Sequence, residues 1–191
     1  ALLAAARVTA DSHSGRDLLT MLEGYPRDEL FQTSVEQLLP TATSVMQVQG
    51  RRRTRVFLRA DDYGRFVSAI VYLSRDRFNT AARLRIEQIL REELGAETVD
   101  YSTRVGESVL ARLHYVLRPP RGHELKAVDP KQVEARVIEA THSWEEDLHD
   151  ALAHEAGDAE SARLSRQWAA GFPDSYRADV PARVAVSDLA R

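Results

Sequence analysis

The 191-residue chain contains no cysteine, which excludes disulfides, thiolate zinc sites and cysteine nucleophiles. Of its 26 basic residues only Lys126 and Lys131 are lysines. Both fall in a proline-bounded stretch, so chemistry that needs a buried lysine is poorly supplied. The glycines stand at 15, 24, 50, 64, 95, 106, 122, 157 and 171, too far apart for a GxGxxG turn or a P-loop. That spacing removes a dinucleotide-binding core from this stretch. No apolar run approaches the roughly 20 residues that cross a bilayer. The opening ALLAAARVTADSHSG has neither the basic start nor the apolar centre of a secretory signal. It lacks an initiator Met and passes straight into a helical pattern, which points to a piece cut from a longer polypeptide. A net charge of −3 supplies no chain-wide attraction to nucleic acid or to an anionic membrane.

What is present is material for a core, at 43% hydrophobic content. The stretch RFVSAIVYLSRDRFNT, Arg65 to Thr80, organises the rest. Phe66 to Leu73 is a nearly unbroken run of strand-favouring residues, the pattern of a central strand covered on both faces. Ser74-Arg75-Asp76-Arg77 closes it, and Asn79 or Thr80 caps the helix that follows. Two guanidiniums flanking a carboxylate at a helix start admit two readings. One is a solvated turn in which Asp76 pairs with its neighbours; the other is a polar corner that holds an anion or a partner's acidic group.

Along the chain, Ser14-Gly15-Arg16-Asp17 predicts the N-cap of a short helix ended by Gly24 and Pro26. Ser34-Val35-Glu36-Gln37 predicts a capping box, with Leu38, Leu39, Ala42, Val45 and Met46 at helical spacing behind it. Pro40 inside that pattern predicts a kink or restart. The basic run Arg51, Arg52, Arg53 and Arg55 reads as a solvated helix end, since a nucleic-acid footprint needs company on the same face. Thr54 to Arg59 alternates as a strand exposed on one face, with Val56 and Leu58 inward. Asp61-Asp62-Tyr63-Gly64 turns it into the central strand as a hairpin.

Ile86, Ile89, Leu90 and Leu94 then form a helical stripe stopped by Gly95. Two alternating runs, Thr98 to Val105 and Leu110 to Leu117, meet at a turn around Gly106. Beyond a linker marked by Pro119, Pro120, Gly122 and Pro130, one long helix is predicted from the stripe Val133, Val137, Ala140, Trp144, Leu148, Ala151 and Leu152. Gly157-Asp158 begins a further helix through Ala162, Leu164 and Trp168, and the tail from Phe172 holds a last turn after Pro181.

The order strand, strand, helix, strand, strand, helix predicts an α+β fold. It is a four-stranded antiparallel sheet in a permuted or incomplete ferredoxin-like arrangement, with extra helices at both ends. The expected bounds are a helical lead-in over 1–50, the α+β domain over 51–155 and a helical extension over 156–191.

Two signals for chemistry are weak on their own terms. His142 and Glu146 share a helix at a spacing of four and could grip a metal, but they have no third ligand and lie on the wet face opposite Trp144 and Leu148. Tyr63-Gly64-Arg65-Phe66-Val67 echoes an RNA-recognition strand, yet its flanks are too apolar to be left open to bases. An RNA-binding ferredoxin-like module and a purely structural oligomerisation domain are the alternative readings.

The blocks GYPRDELFQ (Gly24 to Gln32), GRFVSAIVYLSRDRFNT (Gly64 to Thr80), SVLARLHYVLR (Ser108 to Arg118), ATHSWEEDLHDAL (Ala140 to Leu152) and FPDSYRADVPARVAVSD (Phe172 to Asp188) closely resemble the large bacterial NAD-dependent glutamate dehydrogenases. The chain differs at Ala69, Ser74, Phe78, Gly106 and Val109, where that family's pattern would have Cys, Pro, Tyr, Ser and Pro. The resemblance implies an ACT-like segment N-terminal to the catalytic domain, with regulatory or assembly work and no catalytic, cofactor-binding or metal-binding residue of its own. NAD would belong to the parent enzyme. Its partners would be the other domains and subunits of a cytoplasmic homo-oligomer and a small amino-acid effector, with no nucleic acid and no membrane. For effector or partner contacts the resemblance and the charge pattern together nominate Arg75, Asp76, Arg77, Asn79 and Arg104.

Overall fold

The computed structural model describes residues 2–49, 54–106, 108–142, 144–156, 163–164, 167–168 and 171–189. The chain forms two compact units, Ala1–Thr141 and His142–Arg191.

The first unit opens with four helices, α1 (Leu2–Ala5), α2 (His13–Gly24), α3 (Arg27–Gln32) and α4 (Val35–Gln49). The α2 cap is Ser12, whose hydroxyl accepts from Gly15 N at 3.0 Å, two residues before the expected Ser14. The α4 box forms as expected: Gln37 N donates to Ser34 Oγ and Ser34 N to Gln37 Oε1, each at 3.3 Å. No restart occurs at Pro40, which lies inside one continuous helix. The run Arg51, Arg52 and Arg53 lies outside the described residues.

Strand β1 (Arg55–Ala60) turns into β2 (Val67–Ser74) through Asp61, whose carboxylate accepts from Tyr63 N and Arg65 N at 3.2 Å. Gly64 takes φ 68° in that turn, a conformation open to glycine. A 3-10 turn (Arg75–Arg77) leads to α5 (Thr80–Leu94), capped by the Asn79 side chain and ended by Gly95 at φ 67°. Then come β3 (Thr98–Arg104), β4 (Leu110–Arg118) and α6 (Pro130–Ala140). The sheet order is β1-β2-β4-β3, and every neighbouring pair is antiparallel.

This order resolves the sequence ambiguity: the layer is permuted and complete. β2, α5 and β3 form a crossover with β4 between the two strands. Placing β1 after α6 would restore the strand-helix-strand-strand-helix-strand order of a ferredoxin-like layer. Hydrogen bonds stand where that order would have chain. The buried hydroxyls of Thr54 and Thr141, at the start of β1 and the end of α6, lie 3.3 Å apart. Glu134 on α6 accepts from Val56 N at 2.9 Å and pairs with the Arg55 guanidinium.

Alternation sends Ala69, Val71 and Leu73 of β2, with Leu113, Tyr115 and Leu117 of β4, to the face covered by Ile86 and Leu90 of α5 and Val133 and Val137 of α6. The opposite face carries Ile70, Tyr72 and Leu110, and it packs under Leu18 and Met21 of α2, Tyr25, and Ala42 and Val45 of α4. Helices therefore lie on both faces, and β2 is buried from Ser68 to Ser74. The expectation that β1 has one wet face fails for the same reason. Phe57 meets Tyr72 edge-on with centroids 6.2 Å apart, and Arg59 is held under α3.

The long helix expected from Val133 to Leu152 is two, α6 and α7 (Trp144–Ala156), one in each unit. At the break the Thr141 hydroxyl donates back to Val137 O at 2.8 Å while facing Thr54, a side-chain bond that competes with helix continuation. In the second unit, α7 packs Leu148 and Leu152 against Ala182, Ala185 and Val186 of a C-terminal helix. Following α8 (Asp174–Asp179), that helix is α9 (Ala182–Leu189). Trp144 sits against Phe172 at 4.9 Å and donates its indole N–H to Val180 O at 2.8 Å. Most of the helix expected from Gly157 lies outside the described residues.

Glu134→Ala removes the two bonds that Glu134 makes from α6 to β1. It is expected to lower unfolding free energy by about 2 kcal/mol, read as a lower urea midpoint. An unchanged midpoint would show that the permuted junction holds without this carboxylate.

Candidate functional site

The helix-covered face that carries Tyr72 also holds the chain's polar interior. GYPRDELFQ bends so that α3 lies over the sheet, and Glu29 on α3 has only 3% of its surface exposed. Arg59 on β1 grips it bidentately, Nε to Oε2 and Nη2 to Oε1 both at 2.8 Å, and also reaches Gln32 Oε1 at 2.9 Å. Below them Ser68 Oγ of β2 and His114 Nε2 of β4 lie 2.9 Å apart, and that imidazole is 3.9 Å from Glu29.

Burial pushes the Glu29 carboxyl upward, but the bonds from Arg59 and Ser68 outweigh it and hold the group below its usual range. Burial also pushes the His114 imidazole down from 6.5, against the opposing pull of Glu29.

Beside this network a cavity of about 410 Å³ opens between α2 and the sheet, lined by Thr20, Met21, Tyr72, Arg104, Ser108 and Arg112 among others. Arg104 and Arg112 are paired across β3 and β4. Arg104 Nη1 donates to Glu23 O at 2.9 Å, and Arg112 Nη1 donates to Gly24 O, both at the C-terminal end of α2. Among the described residues neither guanidinium meets a carboxylate. Arg112 Nε is buried without a partner among the described residues. Desolvation pulls the Arg112 pKa down and Arg104 adds to it, against the weaker opposing pull of the Tyr72 and Tyr25 hydroxyls. Burial raises the Tyr72 phenol to about 12, so it stays protonated as a hydrogen-bond donor at neutral pH.

Of the nominated residues, Arg104 lines this cavity. Arg75 holds its rim from behind: Nη1 donates to Gly106 O at 2.9 Å, and its backbone N–H donates to Val109 O at 3.0 Å. Asp76 accepts from the Ser74 hydroxyl, and Asn79 accepts from Ala82 N at 2.8 Å as the α5 cap. Burial lowers the Arg77 pKa. Sequence reasoning passed over Arg112, Glu29 and His114. The Glu146 side chain lies outside the described residues, and His142 Nδ1 faces Asp147 at 3.3 Å. Among the described residues no three His, Asp or Glu side chains are grouped to hold a metal. Tyr63 is 82% exposed at the hairpin tip, while Phe66 packs beneath Arg59 with 5.8 Å from guanidinium to ring, so the two aromatics of the RNA-like motif present no shared platform.

Both buried groups make stability fall on acidification. His114, whose folded pKa is depressed, contributes stability that is complete above the free value of 6.5 and lost as pH falls through the lowered folded value. Glu29, also depressed, contributes stability present above its ordinary 4.5 and lost as pH falls through its own folded value. Urea midpoints are expected to drop between pH 7 and 5, and the drop is expected to shrink in His114→Gln. Glu29→Gln is expected to cost about 3 kcal/mol at pH 7, because it strands the buried Arg59 charge. A flat profile in the parent chain, or a silent Glu29→Gln, would contradict this electrostatic account.

Three family models match in succession: "Glutamate dehydrogenase, helical motif 1" over residues 1–51, "Glutamate dehydrogenase, ACT2 domain" over 55–145 and "Glutamate dehydrogenase, helical motif 2" over 151–191. Curated relatives named NAD-specific glutamate dehydrogenase are 40% identical over 93% of the chain in Halomonas elongata and 39% over 93% in Pseudomonas aeruginosa. A third, from Mycobacterium tuberculosis, is 34% identical over 94%. The chain spans 11 to 12% of the length of these relatives. Helices α1 to α4 thus coincide with the first helical motif, and the permuted sheet with α5 and α6 falls within the ACT2 domain. With three modules of one enzyme matched in order along nearly all of its length, the chain belongs to the glutamate dehydrogenase family as its helical motif 1, ACT2 and helical motif 2 region.

Proposed function

We propose that this region is a non-catalytic regulatory and assembly segment of a large NAD-dependent glutamate dehydrogenase. The whole enzyme would oxidise L-glutamate to 2-oxoglutarate and ammonia, with NAD as hydride acceptor. The observation that carries the regulatory half is the cavity at Arg104 and Arg112. One wall is the helical motif and the other is the ACT2 sheet, so an occupant changes how firmly two modules are held together. Regulation of a distant catalytic site asks for a coupling of only about 1 to 3 kcal/mol.

Assembly is supported by β3. It ends the sheet order, and its side chains are exposed apart from the half-buried Val99. An open strand edge is a template for pairing with another chain or domain. The partners are other domains and subunits of the same cytoplasmic homo-oligomer. Glycine spacing supports the division of labour, because the chain has no loop to wrap a pyrophosphate. No helix among the described residues is long and apolar enough to cross a membrane.

Titrating the 191-residue chain with NADH is expected to give no saturable fluorescence change, and incubation with glutamate and NAD no NADH. Glutamate-dependent NADH formation by the chain alone would overturn the reading.

A further inference from the structure

We propose that the cavity between α2 and the sheet binds a small dicarboxylate that carries no ammonium group. This deepens the regulatory reading, on which it rests for its consequence, by giving the ligand a chemistry. Arg104 and Arg112 stand opposite each other on one face of the β3–β4 pair, a placement in which like charges repel. The α2 carbonyls offset this through the negative end of the helix dipole. They occupy one N–H on each guanidinium, out of five available on each. Arg112 Nε has no acceptor, and no carboxylate reaches either group among the described residues. Two unneutralised guanidiniums at the wall of a 410 Å³ cavity match the fork geometry and charge of two carboxylates.

The remaining lining decides against an amino acid. Among the described residues it contains no Asp or Glu. The carbonyls of its two lining glycines are already engaged, Gly24 O by Arg112 and Gly106 O by Arg75. Its other polar groups include the Tyr72 and Ser108 hydroxyls, suited to a carboxylate or keto oxygen. An α-ammonium would meet no anionic acceptor among the described lining residues, an unfavourable burial. A five-carbon 2-oxo diacid or a plain dicarboxylate has no such group.

The test is calorimetry of the 191-residue chain with succinate and 2-oxoglutarate, against L-glutamate and inorganic phosphate at matched ionic strength. Saturable binding of the dicarboxylates at least tenfold tighter than that of L-glutamate is expected. It should weaken tenfold or more in Arg104→Gln and recover in part in Arg104→Lys. Arg104 is exposed on an edge strand, and an unchanged thermal midpoint verifies that each variant folds. No saturable heat with either dicarboxylate, equal affinity for L-glutamate or phosphate, or an unaffected Arg104→Gln would each overturn the proposal. Because binding is read without turnover, these outcomes are separate from the NADH test of the segment's non-catalytic role.

Discussion

A carboxylate with 3% of its surface exposed can stay ionised against a β-sheet only if another charge is brought to it. Arg59 does this for Glu29 with two 2.8 Å bonds from a neighbouring strand. The pair ties α3 to β1 at a fixed position, since a bidentate fork tolerates little sliding. With α3 anchored, Tyr25 and the ends of α2 and α4 come down on the same sheet face. The C-terminal carbonyls of α2 then lie beside Arg104 and Arg112. The buried ion pair and the apolar packing of α2 and α4 on the same face together place the helix end that holds the cavity's two cations.

The permuted order has a second consequence. Because β1 precedes the central strand, nothing covalent joins α6 to the sheet edge it covers, and the Thr54–Thr141 and Glu134–Val56 bonds take over that role. Thr141 serves twice, ending α6 and facing the start of β1. The compact unit closes at that residue, so the helix break and the boundary share one physical cause.

Local patterns were legible where the deciding interaction is local. Asn79 caps α5 within three residues, the Ser34 box closes within three, and Gly95 ends a helix by its own backbone. The succession of strands and helices along the chain was readable for the same reason, and the two-sided burial of β2 followed from its unbroken apolar run. What escaped depends on distant covers. Arg112 and His114 alternate with Ala111, Leu113 and Tyr115, so they read as a solvent face, and only helices some eighty residues earlier put them inside. The stripe from Val133 to Leu152 stays in helical phase across Thr141, and phase cannot reveal a hydroxyl turned back onto Val137. The family blocks marked the right neighbourhood without giving roles: GYPRDELFQ supplies Tyr25 and Glu29, and RFVS supplies Ser68, to a single buried face.

The N-terminal helices and the sheet form one cooperative body with the cavity built between them. Native-state hydrogen exchange measures this directly, because segments that open together share one opening free energy. Amides of Met21 and Val45 in the helices are expected to exchange with the same free energy as Val71 and Leu113 in the sheet, within about 1 kcal/mol. Helix amides that open several kcal/mol more easily while the sheet stays protected would contradict it.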